Sequence, residues 1–228
     1  MTRSLFRAAL AAGAAVAFAL PAQAEVTESS DSHFVTRHAV EIAAQPGDAW
    51  LALIAPADWW ADSHTWSADA ANLTLTPRAG ACFCEVIPAE DNGDTAGLEG
   101  SAQHLTVVQA VPRKVLRMRG ALGPLQSEPV DGVLTITMQA IEGEDGETAG
   151  TRMVWEYVVG GTMRFEVAEI SKAVDGVIGQ QALGLAEALG GMIAEEEVEE
   201  EPSAFDSAFG PTGEESGETP VTGLPEGR

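Results

Sequence analysis

Val167-Ala168-Glu169-Ile170-Ser171-Lys172-Ala173-Val174-Asp175-Gly176-Val177-Ile178-Gly179-Gln180-Gln181-Ala182-Leu183-Gly184-Leu185-Ala186-Glu187-Ala188-Leu189-Gly190-Gly191 is the stretch that decides the fold. Val167, Ile170, Val174, Val177, Gln181, Leu185 and Ala188 recur at three- and four-residue steps, the period of one buried helix face. Gly190-Gly191 follows as a natural C-cap. Gly176, Gly179 and Gly184 interrupt the helix, each at a cost of about 1 kcal/mol relative to Ala. Three such costs predict that something approaches this helix closely or that it bends. A cavity floor and tight packing on a sheet both satisfy that expectation.

Working back from the helix, the chain reads mostly as strands. Met153, Trp155 and Tyr157 alternate with Arg152 and Glu156 over Thr151 to Val159. Leu134, Ile136 and Met138 alternate with Thr135, Thr137 and Gln139 over Val133 to Ile141. Earlier strands are expected at Lys114 to Arg119, Gln103 to Val111, Ala81 to Ile87 and Asn72 to Leu75. The Gly120–Glu128 connection is unusually apolar, and Ala89 to Gly100 is a Gly- and Asp-rich loop. At the front, Phe34, Val40 and Ile42 share one face of a strand while Arg37 and Glu41 share the other. Pro46 then opens a helix with Asp48 in its first turn and Trp50, Leu51 and Ile54 as its apolar side. Pro56 ends it, and a second helical turn is expected over Pro56 to Asp62. Strand, two helices, five or six antiparallel strands and one long helix make an α+β layer architecture, with the sheet wrapped on the final helix.

Both ends of the chain differ in kind from this middle. Arg3 and Arg7 precede a thirteen-residue apolar run, Ala8 to Leu20, and Ala22-Gln23-Ala24 is a small-x-small cleavage pattern. Residues 1–24 are therefore expected to be a signal peptide, too short in its apolar part to span a bilayer comfortably. Residues 25–33 read as a linker and 34–193 as one domain. Residues 194–228 open on Glu195-Glu196-Glu197-Val198-Glu199-Glu200-Glu201 and read as a disordered acidic tail, a solvating segment or a docking arm for an unknown partner. The expected location is periplasmic or secreted. Of the net charge of −23, the leader contributes +2 and the tail −10, which leaves −15 on the domain. Such a surface repels phosphate backbones and anionic lipid heads, so neither nucleic-acid binding nor stable membrane anchoring is expected.

Two features carry chemical interest. Trp59-Trp60-Ala61-Asp62-Ser63-His64-Thr65-Trp66 holds three of the five tryptophans of the chain in eight residues. Rings clustered in a connection either plug a core or line a pocket. Cys82-Phe83-Cys84 places two thiols on one strand face, near or beyond the bridging limit. Two buried, unbridged cysteines are the preferred reading, with a labile disulfide as the alternative in an oxidising compartment. Two thiolates fall short of a metal set, and neither a metal nor another cofactor is expected.

Trp59-Trp60 with His64-Thr65-Trp66-Ser67, Asp69-Ala70-Ala71-Asn72-Leu73, Gly80 with Cys82-Phe83-Cys84-Glu85, Arg119 to Gln126, Trp155 to Gly160 and Val174-Asp175-Gly176-Val177 carry a resemblance. Together with the element order, they make the chain similar to exported bacterial members of the SRPBCC, or START-like, superfamily. That superfamily is related to Bet v 1 and includes polyketide cyclases and a chaperone-activator C-terminal domain. The resemblance implies a helix-grip fold, a curved antiparallel β-sheet wrapped around a long C-terminal helix over an apolar cavity. It implies a protein that binds a small hydrophobic molecule, lipid or polyketide-like, but names no activity. Candidate ligand-binding residues are Trp59, Trp60, His64, Trp66, Met118, Leu122, Leu125, Gln126, Met138, Trp155, Tyr157 and Met163, with Glu85 and His104 as further polar handles.

The alternatives are a cyclase- or dehydratase-type enzyme and a protein-interaction module. For the enzyme, His64 is the candidate catalytic residue, paired with Asp62, Asp69 or Glu85 as acid and base, or with Cys84 as nucleophile. No phosphate-binding loop, dinucleotide fingerprint, nucleophile elbow or zinc motif is present to sharpen that choice.

Overall fold

The computed structural model describes residues 25–90 and 96–193. The expected leader, the middle of the Ala89–Gly100 loop and the expected tail lie outside the described residues.

The strands are β1 (Glu25–Ser29), β2 (His33–Ile42), β3 (Leu73–Leu75), β4 (Cys82–Ile87), β5 (Gly100–Val111), β6 (Val115–Arg119), β7 (Val130–Glu142) and β8 (Thr148–Gly161). They form one curved antiparallel sheet in the order β1-β2-β8-β7-β6-β5-β4-β3. Helix α1 (Pro46–Leu53) follows β2, and helix α2 (Val167–Ala188) ends the domain. This is an α+β, helix-grip arrangement. No helix among the described residues is long and apolar enough to cross a membrane.

Period-two patterning sets which face the sheet buries. Phe34, Thr36, His38 and Val40 of β2 stand opposite Val159, Tyr157, Trp155 and Met153 of β8. Those β8 residues stand opposite Gly132, Leu134, Ile136 and Met138 of β7. All of these β8 residues, and Leu134, Ile136 and Met138, are buried. Residues 25–29, read as linker, pair with β2 instead, because an extended segment beside an open edge satisfies its backbone there.

Helix α2 begins and ends as its sequence period predicts. Ile170, Ile178, Ala182, Leu185 and Ala186 are buried along it. Gly191 N–H reaches the Ala186 carbonyl and Gly190 N–H the Glu187 carbonyl, the paired bonds of a Schellman stop. Both glycines have positive φ, which explains why glycine stands there. The helix packs mainly on β1, β2 and β8. Gly179 lets it close on the sheet, since a Cβ there would lie 2.6 Å from the His38 ring, and His38 Nε2 is 2.8 Å from Asp175 Oδ1. A Cβ at Gly184 would lie 2.9 Å from the Trp59 carbonyl oxygen, whereas Gly176 faces open space. Two of the three helix glycines thus mark close approach.

Helix α1 buries Ala49, Trp50 and Leu53, and Leu51 points outward at 63% exposure. Leu51 does not belong to its apolar side, because an eight-residue helix resting on one ridge cannot bury both Trp50 and its next neighbour. The expected second helix is reduced to 3-10 turns at Pro56–Asp58 and Asp62–His64.

Cys82 and Cys84 form a disulfide with Cα atoms 5.4 Å apart, which corrects the reading of two free thiols. The β4–β5 register shifts between Phe83 and Cys84, and the extra residue on β5 is His104. The 5.4 Å separation lies inside the bridging range and is shorter than the flat-strand spacing on which the free-thiol expectation rested.

Candidate functional site

The gap that α2 leaves over the β4–β5 side of the sheet is filled from two directions. The Trp-rich connection comes from one side and the apolar Gly120–Ser127 connection from the other.

The three tryptophans diverge. Trp59 turns inward, its indole N–H donating to the Ala52 carbonyl at 2.8 Å and its ring 5.9 Å edge-on from Trp155. Trp60 is buried, donates to the His64 carbonyl at 3.1 Å and stacks edge-on at 5.2 Å against Phe83. Trp66 stays 53% exposed and donates to Gln126 Oε1 at 3.1 Å, joining the two connections. Gln126 also donates to the Gln103 carbonyl, so its amide is committed to structure.

Glu85 holds the connection down. It shares the inward face of β4 with Phe83 and its side chain is fully buried. It accepts N–H bonds from Trp66 at 3.0 Å and Ser67 at 2.5 Å, and its Oε2 lies 2.9 Å from His104 Nε2. Burial pushes the carboxyl upward, but the Trp66, Ser67 and His104 hydrogen bonds outweigh it and hold Glu85 below its ordinary range. The β5 bulge makes this pairing. It puts His104 and Leu105, neighbours in sequence, both in buried positions.

The opposite lip is pinned by Tyr157. Its hydroxyl donates to the Gly120 carbonyl at 3.1 Å and accepts from Leu122 N–H at 3.2 Å. Gly132 permits this reach, since a Cβ there would lie 2.6 Å from the Tyr157 ring. Burial pushes the phenol well above its ordinary range, so Tyr157 remains a neutral strut. Glu128 closes the lip's far end. Its buried carboxylate accepts from Arg164 Nε at 2.9 Å, Nη2 at 2.5 Å and the backbone N–H at 2.7 Å. The Arg164 guanidinium holds that carboxyl below its ordinary range.

Between these walls lies a cavity of about 240 Å³. Trp60, Ser63, His64, Thr65 and Trp66 line it from the Trp-rich side, and Leu122, Gly123 and Pro124 from the lip. His104 lines it from β5, and Ile170, Ala173, Val174, Val177 and Ile178 from α2. Its surface is overwhelmingly apolar, with two imidazoles among the polar exceptions.

Of the ligand-binding candidates, Trp60, His64, Trp66 and Leu122 meet at this cavity. Trp59, Met118 and Trp155 instead surround a void of about 10 Å³ on the core side of Trp60. Such a void admits at most one water, so these side chains serve packing. The Trp155 indole N–H has no hydrogen-bond partner among the described residues. Leu125, Met138 and Tyr157 are buried in the core, Gln126 braces Trp66, and Met163 packs against the core from outside. The α2 residues and His104 complete the lining. The helix period had marked Ile170, Val174 and Val177, but as apolar positions without a partner.

None of the partners expected for His64 is placed with it. Asp62 accepts from Ala70 N–H, Asp69 caps the next turn through Ala71 N–H, and Glu85 belongs to His104. Cys84 is in the disulfide. His64 Nδ1 instead meets Gln181 Nε2 at 2.7 Å, and Gln181 Oε1 accepts from Ala61 N–H at 3.0 Å. Gln181, fully buried on α2, thus ties the Trp-rich connection to the helix. No group of three or more metal-ligating side chains occurs among the described residues.

No family model matches the chain, and no curated protein does. Solved structures of similar shape include an uncharacterised protein of Rhizobium leguminosarum, 20% identical over 69% of this chain and 95% of that one, with a TM-score of 0.46. A protein of Mesorhizobium loti is 17% identical over 68% and 96%, with a TM-score of 0.44. A protein of Chromobacterium violaceum is 14% identical over 68% and 96%, with a TM-score of 0.42.

Proposed function

We propose that this chain is an exported, SRPBCC-like protein that holds one compact apolar molecule between its sheet and its C-terminal helix. The observation that carries the proposal is the cavity itself, about 240 Å³ with apolar walls and a few placed polar groups. That composition is the usual one for a small-molecule site. The volume lies below the roughly 300–1,000 Å³ of drug-sized sites, which favours a one- or two-ring molecule or a short acyl chain over a diacyl lipid. Export is supported by the leader pattern of residues 1–24 and by the Cys82–Cys84 disulfide, which belongs in an oxidising compartment.

The pair Glu85–His104 favours a second reading. A carboxylate orienting an imidazole on a cavity wall is the arrangement of a general base, so chemistry on the bound molecule is the alternative function.

Native mass spectrometry of the protein secreted through its own leader tests the first reading. One small organic molecule per chain, lost on solvent extraction and regained on adding the extract back, is expected. A chain that carries nothing and takes up no apolar compound contradicts it.

A further inference from the structure

Two imidazoles line the cavity, and each has one nitrogen already engaged. Gln181 Oε1 accepts from Ala61 N–H, which fixes the orientation of its amide. Gln181 Nε2 must then donate to His64 Nδ1, so the His64 proton sits on Nε2. On the other wall, the Glu85 carboxylate can only accept, so His104 Nε2 carries the proton that bonds it. In the neutral ring, His104 Nδ1 then keeps a lone pair and is an acceptor. Neither His64 Nε2 nor His104 Nδ1 has a hydrogen-bond partner among the described residues. Two residues that line the cavity thus carry one uncommitted donor and one uncommitted acceptor among otherwise mostly apolar walls.

We infer that the site selects a neutral, compact hydroxy-aromatic molecule, of the phenol or naphthol class. Its hydroxyl donates to His104 Nδ1, and its own or a neighbouring oxygen accepts from His64 Nε2–H. This rests on the reading of the cavity as a ligand site. An aromatic body suits the rings of Trp60 and Trp66, which line the same space. A hydroxyl can give and accept, as the two imidazoles require. A carboxylate has no proton for His104 and would bring a second negative charge toward Glu85 in a chain of net charge −23. An unsubstituted hydrocarbon would leave both imidazole groups unpaired in an apolar surrounding.

Titration of the mature protein at pH 7 with 2-naphthol, naphthalene and 2-naphthoate, read by calorimetry, tests this. The expected order is 2-naphthol at least about tenfold tighter than naphthalene, the gain of one net hydrogen bond, with 2-naphthoate weakest. In His104→Phe the preference for 2-naphthol over naphthalene should disappear, whatever the affinity for naphthalene itself, and a preference kept at the wild-type ratio overturns the role given to His104. Equal binding of 2-naphthol and naphthalene to the unaltered protein, or a preference for 2-naphthoate, overturns the assignment of the polar groups and leaves the apolar cavity standing. Failure of all three compounds to bind overturns both readings.

Discussion

Glu85 is a fully buried side chain that receives two backbone N–H groups and one imidazole. Without it, the Trp66 and Ser67 N–H groups and His104 Nε2 would lose their acceptor. Glu85→Gln should destabilise the domain by about 2 kcal/mol at pH 7, since an amide accepts on one oxygen only and carries no charge. The folded carboxyl lies below its ordinary value of 4.5, so its contribution is complete above about pH 4.5 and is lost as pH falls through the lower folded value. Urea midpoints at pH 7 and pH 3.5 should therefore show the gap between wild type and Glu85→Gln narrowing in acid. A gap unchanged with pH would refute the assigned role. The sequence offers Glu85 only as a polar handle, because reading Cys82 and Cys84 as the buried pair puts it on the other face of β4, whereas the structure buries Phe83 and Glu85. Nor does the sequence show the partner. His104 is brought to Glu85 by a one-residue bulge in β5, and no periodicity announces a bulge. His64 drew attention for its tryptophan neighbours, yet its partner, Gln181, is a polar residue that the sequence shows only as part of the helix stripe.

At the scale of elements, α2 was the most legible part of the chain, because period 3.6 over 22 residues and a Gly-Gly stop leave little choice. Its interior glycines were legible as a cost but not as a cause. Their surroundings now separate them. Gly176→Ala should stabilise the domain by about 0.5–1 kcal/mol, because the position faces open space and Ala is the better helix former. Gly179→Ala should destabilise it by about 1–3 kcal/mol, because the new methyl meets the His38 ring. Thermal or urea unfolding of the two variants checks the pair, and the same sign for both would contradict the packing described. The 3-10 turns and the position of β1 were less legible, since three- to five-residue elements carry too few residues for a period and depend on tertiary contacts.

At the scale of the whole molecule, the sheet and helix followed from patterning, while the cavity followed from where α2 stops contacting the sheet. The helix rests on β1, β2 and β8, and the Trp-rich and Gly120–Ser127 connections close the other side. Large side chains picked for their size divided between core and cavity according to strand position, which explains why Trp155, Met118 and Met138 became packing and Val174 and Val177 became lining. The cavity is also where substitution can separate binding from folding, because Val174 and Val177 are only half-buried and have room beside them. The most direct measurement is calorimetric titration of naphthalene into the wild-type protein and into Val174→Phe/Val177→Phe. One saturable equivalent is predicted for wild type, with at least about tenfold weaker binding in the filled variant and a melting temperature within a few degrees of wild type. Undiminished binding by the folded variant, or no saturable binding of either naphthalene or 2-naphthol by wild type, would contradict a ligand site between sheet and helix.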